Sequence, residues 1–283
     1  MTSFPRTLLG AFQNSNSSLT TIIALKCKDG IVMGADTQAT GSRIWEFSIK
    51  VKEMDKFSLM AGAGSAIYIE LFAKYVRKAV SERNTSDYYD VINSATESYS
   101  ADIVERNEKV GLTDPDSVEA CYPQAVFATY DHSSKNYRIF QIHPPDPPYE
   151  PVYPFRVSIG SGSRTADPFL KNMEYYLNKL GLNWINVSTK LASQLCWLLL
   201  KKVEYVDPAT SGVIIYRIDT SGTRNLSGSD AWGSLTEDHW STIALRTAIN
   251  ETPPEKLQEI IQTYLPPDML KKLMASLVQA KAQ

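Results

Sequence analysis

Residues 17–40 read SSLTTIIALKCKDGIVMGADTQAT, and this stretch decides the fold that the sequence predicts. Two runs of β-branched and aliphatic residues, 22–27 and 31–35, are separated by Lys28-Asp29-Gly30. Asp-Gly between two such runs is the strongest short-range signal of a β-hairpin. The stretch therefore predicts two antiparallel strands, the first starting after Thr20-Thr21 and the second ending at Asp36.

The residues before this hairpin form a polar leader. Residues 1–19 lack the apolar core of a signal peptide, because Leu8-Leu9 is followed at once by Gly10 and then by a polar run. No stretch of the chain approaches the roughly 18 apolar residues that a membrane span needs. We therefore expect a cytoplasmic protein with no membrane partner, in which residues 1–19 are a leader or propeptide.

Composition argues against several kinds of partner and cofactor. The 283 residues carry a formal net charge of −2, so no strong field favours binding of nucleic acid. The three cysteines are widely spaced without a CxxC motif, which predicts buried thiols in a reducing compartment. The three histidines show no metal-ligand spacing. We therefore expect no metal, no cofactor and no histidine-based catalytic triad.

Beyond the hairpin, strands and helices follow one another in blocks. The predicted order is a strand over 57–60, helices near 67–76 and 87–108, strands over 125–130 and 137–142, a strand ending at Ile159, two further helices, and two strands after Ser211. The first helix is expected to bury one face carrying Ile67, Leu71, Tyr75, Tyr68, Phe72 and Val76. Six prolines within residues 143–155 predict a stiff, irregular connection.

This order of elements indicates the fold class. Strands joined by hairpins are typical of antiparallel sheets, and helices arriving in pairs are typical of layers that cover those sheets. The prediction is an α+β protein, a four-layer αββα sandwich over residues 20–230. A helical C-terminal extension over residues 231–283 follows, with one or two amphipathic helices from about Pro253. The extension would wrap a neighbouring subunit, line a chamber or pack on its own domain.

The two threonines at the start of the hairpin raise a chemical question. A threonine hydroxyl is a poor nucleophile without a base, and its own α-amino group is available as a base only if the threonine is the first residue. Removal of residues 1–19 would expose that amine on Thr20. Asp36 would lie beside it across the hairpin, and Lys50 precedes a predicted strand. The alternative is an ordinary strand that begins with β-branched residues after a frayed terminus.

At these residues the sequence resembles a known family. TTIIALKCKDGIVMGADTQAT at 20–40 is similar to the mature N-terminus of proteasome β-type subunits and their bacterial relative HslV, which are N-terminal-nucleophile hydrolases with an αββα sandwich. The resemblance continues through KVKEMDKFSLMAGAGSA, YRIFQIHPPD, VSIGSGS and VDPATSGVIIYRID, in order, and covers roughly residues 20–224.

The resemblance implies roles for individual residues. Thr20 matches the nucleophile, Asp36 the family's aspartate, Lys50 its lysine, and Gly64 the glycine whose N–H forms the oxyanion hole. Beside the terminal amine, the resemblance places Ser161, Asp207, and Thr210 or, with a shift of one residue, Ser211. The side-chain pocket of the substrate would be lined by four small residues: Ala39, Ser48, Gly62 and Ala66.

The implied activity is hydrolysis of peptide bonds in peptides or unfolded proteins. The implied assembly is a ring of like subunits, with α-type subunits or an ATPase unfoldase as further partners.

Leu19 stands where self-processing relatives usually carry glycine, so a silent ring subunit with a retained leader is the main alternative. A threonine acyl-enzyme intercepted by an amine would give transpeptidation or ligation instead. A phosphate-binding turn in VSIGSGSRTADPF is a weaker alternative, because it lacks the GxxxxGK[ST] and GxGxxG patterns.

Overall fold

The computed structural model describes residues 20–40, 45–47, 50–83, 87–151, 155–206, 211–227 and 237–264. The leader at 1–19, the pocket residue Ser48, the predicted site residues Asp207 and Thr210, and residues 265–283 lie outside this part of the chain. For Ala39 the structure describes the backbone, which lies in a strand, and not the surroundings of the side chain.

The described residues form strands and helices in the alternating blocks that the sequence predicts. The strands are β1 (Ile22–Cys27), β2 (Gly30–Ala35), β3 (Gln38–Thr40), β4 (Trp45–Phe47), β5 (Val51–Asp55), β6 (Ser58–Ala63), β7 (Gln124–Asp131), β8 (Asn136–Ile142), β9 (Arg156–Ile159), β10 (Ile214–Asp219) and β11 (Gly222–Asn225). The helices are α1 (Ala66–Ser81), α2 (Tyr88–Val110), α3 (Pro115–Glu119), α4 (Ser163–Lys179), α5 (Thr189–Val206), α6 (Glu237–Glu251) and α7 (Pro254–Tyr264).

The strands form antiparallel sheets, which confirms an α+β protein. The first sheet has five strands in the order β11-β10-β2-β1-β9, and the second has four in the order β5-β6-β7-β8. The predicted hairpin is confirmed: β1 and β2 pair from Cys27 opposite Gly30 to Ile22 opposite Ala35. This register places the residues just before β1 beside those just after β2, because the hairpin ends meet on the same edge.

Alternation along β1 divides the core into clusters. Ile22 and Ala24 join a cluster that also contains residues from β5, β6 and β7. Ile23 and Leu25 point to the opposite face and join a second cluster with α4, α5 and α6. The outer face of the four-stranded sheet forms a third cluster with α1 and α2. Successive residues of β1, β2 and β10 therefore alternate between the first two clusters, as the period of two requires.

The structure confirms the predicted buried face of α1 for Tyr68, Leu71, Phe72, Tyr75 and Val76 and corrects it for Ile67. The fully buried residues of α1 are Phe72, Ala73, Val76 and Val80, whereas Ile67 is 76% exposed. Val76 is nine positions after Ile67. At about 100° per residue, this spacing places Ile67 on the opposite side of the helix from Val76.

Three further elements are absent from the sequence-based prediction. They are the pair of strands β3 and β4, the five-residue helix α3 and the helix α6, which begins at Glu237. The helix predicted from about Pro253 is confirmed as α7, which begins at Pro254. Helix α6 packs against α5, with Ala244 and Ala248 buried in the shared cluster. For these residues, packing on the same chain is therefore the observed arrangement.

Within the described ranges, none of the helices is long and apolar enough to cross a membrane. In the same ranges, no three His, Cys, Asp or Glu side chains form a group that could hold a metal ion.

Candidate active site

Thr20 lies two residues before the start of β1, and only 3% of it is exposed. The hairpin register brings it next to the end of β2, where the backbone N–H of Asp36 donates to the carbonyl of Thr21 over 3.1 Å. The β-branched side chains of Ile22 and Ile23 drive this strand into the core on both faces, and both are fully buried. The nucleophile predicted from the sequence is thus held at the end of a buried strand.

The carboxylate of Asp36 is completely buried and makes two different contacts. Its Oδ1 accepts a hydrogen bond from the backbone N–H of Thr21 over 2.7 Å. Its Oδ2 lies 2.5 Å from Nζ of Lys50. A buried carboxylate is costly unless it is paired and hydrogen-bonded, and here both conditions are met. Asp36 therefore links the backbone of the nucleophile's strand to Lys50.

Lys50 reaches this position from the other sheet, because it immediately precedes β5. Its Nζ also donates to Oγ1 of Thr20 over 3.1 Å. Burial lowers the pKa of Lys50, and the charge of Asp36 and the hydrogen bond to it partly oppose that shift. A lysine ammonium that donates to a threonine hydroxyl favours the deprotonated form of that hydroxyl.

The nearby Lys52 occupies a different environment. Its Nζ forms an ion pair with Glu70 of α1, whose side chain is 60% exposed. Lys52 pairs with Met60 in the β5–β6 ladder, so it is already two residues into the strand region. Between the two candidate lysines, Lys50 is the one within hydrogen-bonding distance of Thr20.

The glycine-rich turn after β9 encloses the backbone of Thr20. The N–H of Thr20 donates to Oγ of Ser161 over 3.1 Å, and the N–H of Gly162 donates to the carbonyl of Thr20 over 3.1 Å. Gly160 adopts a φ of 87°, and a Cβ there would lie 2.1 Å from the carbonyl oxygen of Thr20. Only glycine fits this close approach, since any side chain would collide with Thr20.

A cleft with a volume of about 450 Å³ opens beside Thr20. Gly64 lies in its wall with a φ of 123°, between β6 and α1. The lining residues are Thr20, Ala63, Gly64, Asp116, Glu119, Ala120, Tyr122, Gln124, His143, Gly160 and Ser161. The cleft therefore brings together three of the predicted residues, Thr20, Gly64 and Ser161, in a space large enough for part of a peptide.

Ser211, Gly62 and Ala66 are described by the structure but are not among the residues that line this cleft. The carbonyl of Ser211 accepts hydrogen bonds from the N–H of Thr37 over 3.0 Å and from its hydroxyl over 3.3 Å. Gly62 is buried in β6, where a Cβ would lie 2.8 Å from a methyl group of Ile69. Ala66 is exposed at the first position of α1. Neither Gly62 nor Ala66 lines the cleft, so their role in a side-chain pocket stays a prediction.

Several residues of the site were missed in the sequence analysis. The N–H of Thr21, the side chain of Gln124, and Asp116 and Glu119 of α3 all contribute to the site or its cleft. No local motif marks these positions, because a single polar residue at the end of a strand or in a short helix is usually a solvated surface group. Only the pairing of β6 with β7 brings Gln124 to the cleft, opposite Ala63.

This geometry supports nucleophilic chemistry at Thr20. Its hydroxyl contacts a lysine of lowered pKa, its nitrogen contacts a serine hydroxyl, and a glycine with positive φ lies in the adjoining cleft. An activated hydroxyl with a neighbouring backbone donor is the arrangement that acyl transfer requires. In a chain that retains residue 19, however, the nitrogen of Thr20 is an amide and has no basic lone pair.

The comparison with protein families agrees with the sequence resemblance. The family described as Proteasome subunit matches residues 18–180, which is more than half of the 283-residue chain. The matched segment ends at Leu180, the residue that follows α4, and it includes Thr20, Asp36, Lys50, Gly64 and Ser161. A search of curated proteins gave no match.

Proposed function

The chain belongs to the proteasome subunit family, and on that premise we propose that it is a threonine peptidase that uses Thr20 as its N-terminal nucleophile. The family forms ring-shaped oligomeric assemblies, so this chain is a subunit of such a ring. The observation that carries the proposal is the buried contact between Nζ of Lys50 and Oγ1 of Thr20 at 3.1 Å, with Asp36 holding the lysine.

The proposed reaction begins after the bond between Leu19 and Thr20 has been cut. Oγ1 of Thr20 attacks the carbonyl carbon of the scissile peptide bond while its proton passes to the free α-amine, which has an ordinary pKa near 8. The N–H of Gly64 stabilises the oxyanion, and such a donor contributes roughly 3–4 kcal/mol in acyl transfer. The amine then protonates the departing amine of the substrate as the acyl-enzyme forms.

Hydrolysis of the acyl-enzyme restores the starting state. The α-amine of Thr20 takes a proton from a water molecule, which attacks the ester carbonyl and releases the carboxylic acid and the threonine hydroxyl. Lys50 stabilises negative charge on Oγ1 in both steps because its ammonium group is 3.1 Å away. Ser161 orients the amine through the contact that it already makes with the nitrogen of Thr20.

We also propose the four-layer αββα arrangement of N-terminal-nucleophile hydrolases for residues 20–230. Its support is the set of three clusters, one between the sheets and one under the helices on each outer side. The C-terminal extension over 231–283 is proposed to start with α6 on this domain. Peptides or unfolded proteins as substrates, α-type subunits or an ATPase unfoldase as partners, and a cytoplasmic location complete the proposal.

The first test is the intact mass and N-terminal sequence of the purified protein in its assembly. The proposal requires a chain that begins at Thr20, together with peptide cleavage that the Thr20→Ala substitution abolishes. Thr20→Ser serves as a matched control, because it keeps a hydroxyl and should keep measurable activity. If the wild-type chain begins at Thr20 but the Thr20→Ala variant cleaves peptides as fast as the wild type, the proposed nucleophile is refuted.

Leu19 favours a second candidate, a silent ring subunit that keeps its leader. In such a chain the nitrogen of Thr20 stays acylated, and the mechanism has no base. Assembled rings whose subunits begin at Met1 or Thr2 and cleave no peptide would establish this second candidate.

A further inference from the structure

We propose that Gln124 is a positioning residue, which fixes Ser161 against the α-amine of Thr20 and adds no charge of its own to the cleft beside that amine. The inference rests on the proposed function, since only a free amine on Thr20 can act as the base. It concerns a residue that carries no recognisable sequence signal. One chain of contacts leads from Gln124 through Gly160 and Ser161 to Thr20.

Gln124 connects the two sheets at the edge of the cleft. It is the first residue of β7 in the four-stranded sheet, and it pairs with Ala63, directly before Gly64. Its side-chain Oε1 accepts a hydrogen bond from the N–H of Gly160 over 3.3 Å. Gly160 directly follows β9, which belongs to the five-stranded sheet. The side chain therefore ties the glycine-rich turn to the wall of the cleft that contains Gly64.

The turn that Gln124 holds has little freedom next to Thr20. Gly160 has a φ of 87° and already approaches the carbonyl oxygen of Thr20 closely, while the N–H of Gly162 donates to that same oxygen over 3.1 Å. Ser161 lies between these two glycines, and its Oγ accepts from the nitrogen of Thr20 over 3.1 Å. The orientation of the Gly160 peptide thus determines where the hydroxyl of Ser161 points.

The amide of Gln124 supplies an acceptor without a charge. A glutamate would offer the same acceptor to Gly160 but would add a negative charge near the amine of Thr20, and a negative charge favours the protonated ammonium form. A protonated amine cannot take the proton of Oγ1. A neutral residue at position 124 therefore avoids raising the pKa of the amine, so a larger fraction of it stays unprotonated at a given pH.

Other titratable groups also surround this nitrogen. Lys50 and Asp36 lie on the side of the Thr20 hydroxyl. Asp116, Glu119, Tyr122 and His143 line the same cleft as Gln124. These groups are the same in every variant at position 124, so a difference between variants reports the residue at that position.

The experiment compares Gln124→Met and Gln124→Glu in the assembled, processed protein. Methionine keeps the length of the side chain but removes the acceptor, and we expect kcat/KM to fall about threefold to tenfold with an unchanged pH midpoint. Glutamate keeps the acceptor, and we expect the acidic limb of kcat/KM to move to higher pH by about half a unit. Asn178→Asp is the matched control, because it adds the same charge in the exposed last turn of α4, outside the cleft.

A second readout does not depend on peptidase activity. The rate at which acetic anhydride acetylates the α-amine of Thr20, measured against pH by peptide mass spectrometry, reports protonation of that amine alone. The Gln124→Glu variant should show the same shift there, and Asn178→Asp should show none. Superimposable acetylation curves for wild type and Gln124→Glu would overturn the inference. Activity that survives Thr20→Ala would instead refute the proposed function, whatever the acetylation curves show.

Discussion

Asp36 performs two tasks with its two carboxylate oxygens. One accepts from the backbone of Thr21 and the other contacts Lys50, whose Nζ lies 3.1 Å from Oγ1 of Thr20. All three side chains are almost completely buried. Removing one member of a buried ion pair leaves an uncompensated charge, which is far more costly than removing an exposed pair. The chemistry and the stability of the site are therefore linked through the same residue.

The first prediction separates Lys50 from Lys52. Lys50→Met leaves the buried carboxylate of Asp36 without its lysine partner. The free energy of unfolding should therefore fall by about 3–5 kcal/mol. Peptide cleavage should fall by roughly 10²- to 10⁴-fold, because the hydroxyl loses its charged neighbour. Denaturant titration and steady-state kinetics measure these two effects.

Lys52→Met is the matched control, since Glu70 is 60% exposed, and its cost should stay within about 1 kcal/mol. Adding Asp36→Asn to Lys50→Met should recover part of the lost stability, because the unpaired charge is gone, but should recover no activity. Equal losses for the two single lysine variants would contradict this account of the site.

The second prediction concerns the space around the carbonyl of Thr20. Gly160→Ala would place a Cβ 2.1 Å from that oxygen at a φ of 87°, so the turn must move and Ser161 with it. We expect cleavage activity to be lost. The loss of stability should be well above the roughly 1–2 kcal/mol that a left-handed alanine costs by itself.

Gly111→Ala provides the control for backbone strain alone. Gly111 has a φ of 68°, and no described atom lies within 4 Å of its Cβ position. Thermal melts and activity assays of both variants give the comparison. If Gly111→Ala is as damaging to activity as Gly160→Ala, the close approach to Thr20 is not the cause.

At the scale of secondary-structure elements, the start of α5 is capped by residues from distant parts of the chain. The carboxylate of Glu251, at the end of α6, accepts from the N–H of Ser188 over 2.8 Å and also contacts its hydroxyl. The hydroxyl of Ser188 accepts from the N–H of Leu191 over 3.1 Å, and Asp29 of the first hairpin accepts from the N–H of Thr189 over 2.7 Å. Two carboxylates thus lie at the positive end of the helix.

The third prediction follows from this cap. Glu251→Ala removes a charge-assisted acceptor from the start of α5, and we expect a loss of about 1–3 kcal/mol in unfolding free energy. Glu105→Ala is the control, because Glu105 pairs with Lys109 on an exposed surface of α2 and should cost about 0.5 kcal/mol or less. Chemical denaturation of the two variants tests the difference, and equal losses would exclude a specific capping role.

The fourth prediction concerns the pH dependence of the cap of α2. The backbone N–H of Tyr89 and then the guanidinium of Arg138 hold the pKa of Asp87 below its ordinary value. A carboxyl whose pKa is lower in the folded state stabilises the fold above its unfolded pKa and loses that contribution as pH falls through the folded pKa. Asp87→Asn should therefore destabilise the protein at pH 7.

The difference between wild type and Asp87→Asn should shrink as the pH falls below about 4. Urea titrations at pH 7 and pH 3 measure it. A difference that is constant across this range would show that ionisation of Asp87 contributes nothing to stability.

The sequence allowed prediction of those elements whose signals are local. Asp29-Gly30 between two apolar runs was sufficient for the β1–β2 hairpin, and the spacing of Val91, Ala95, Tyr99 and Ile103 was sufficient for α2, where all four are buried. Helix α3 has five residues and none of them is buried, so no apolar period could mark it. Gln124 reaches the cleft through the pairing of two strands that are separated by α1, α2 and α3, and local patterns do not contain that information.

At the scale of the whole molecule, the site depends on both sheets. Thr20 and Asp36 come from the ends of β1 and β2, whereas Lys50 and Gly64 come from the ends of β5 and β6. The cluster between the sheets, with Ile22, Met33, Leu59 and Val126 fully buried, holds these ends in register. Any change that shifts one sheet relative to the other would therefore separate Lys50 from Thr20.

The fifth prediction tests whether α6 is an integral part of the domain. Ala244 is 3% exposed against α5, whereas its neighbour Leu245 is 58% exposed. Ala244→Asp would bury a charge without a partner, so we expect a loss of several kcal/mol and release of α6. Leu245→Asp, one residue along the same helix, should change stability by about 0.5 kcal/mol or less.

Melting curves and limited proteolysis near residue 236 compare these two variants. Rapid cleavage before α6 in the Ala244→Asp variant alone is the expected result. If both variants melt like the wild type, α6 does not contribute to the stability of the domain.

The shared carboxylate of Asp36 also constrains how this protein can change over generations. Loss of Lys50 leaves a buried anion, and loss of Asp36 leaves a buried cation together with an unpaired N–H on Thr21. Each single step leads to a less stable descendant, whereas loss of both together is far less harmful. Lineages derived from this chain are therefore expected to inherit the two residues as a unit or to lose them as a unit. A lineage that has lost the activity is therefore expected to carry replacements at both position 36 and position 50.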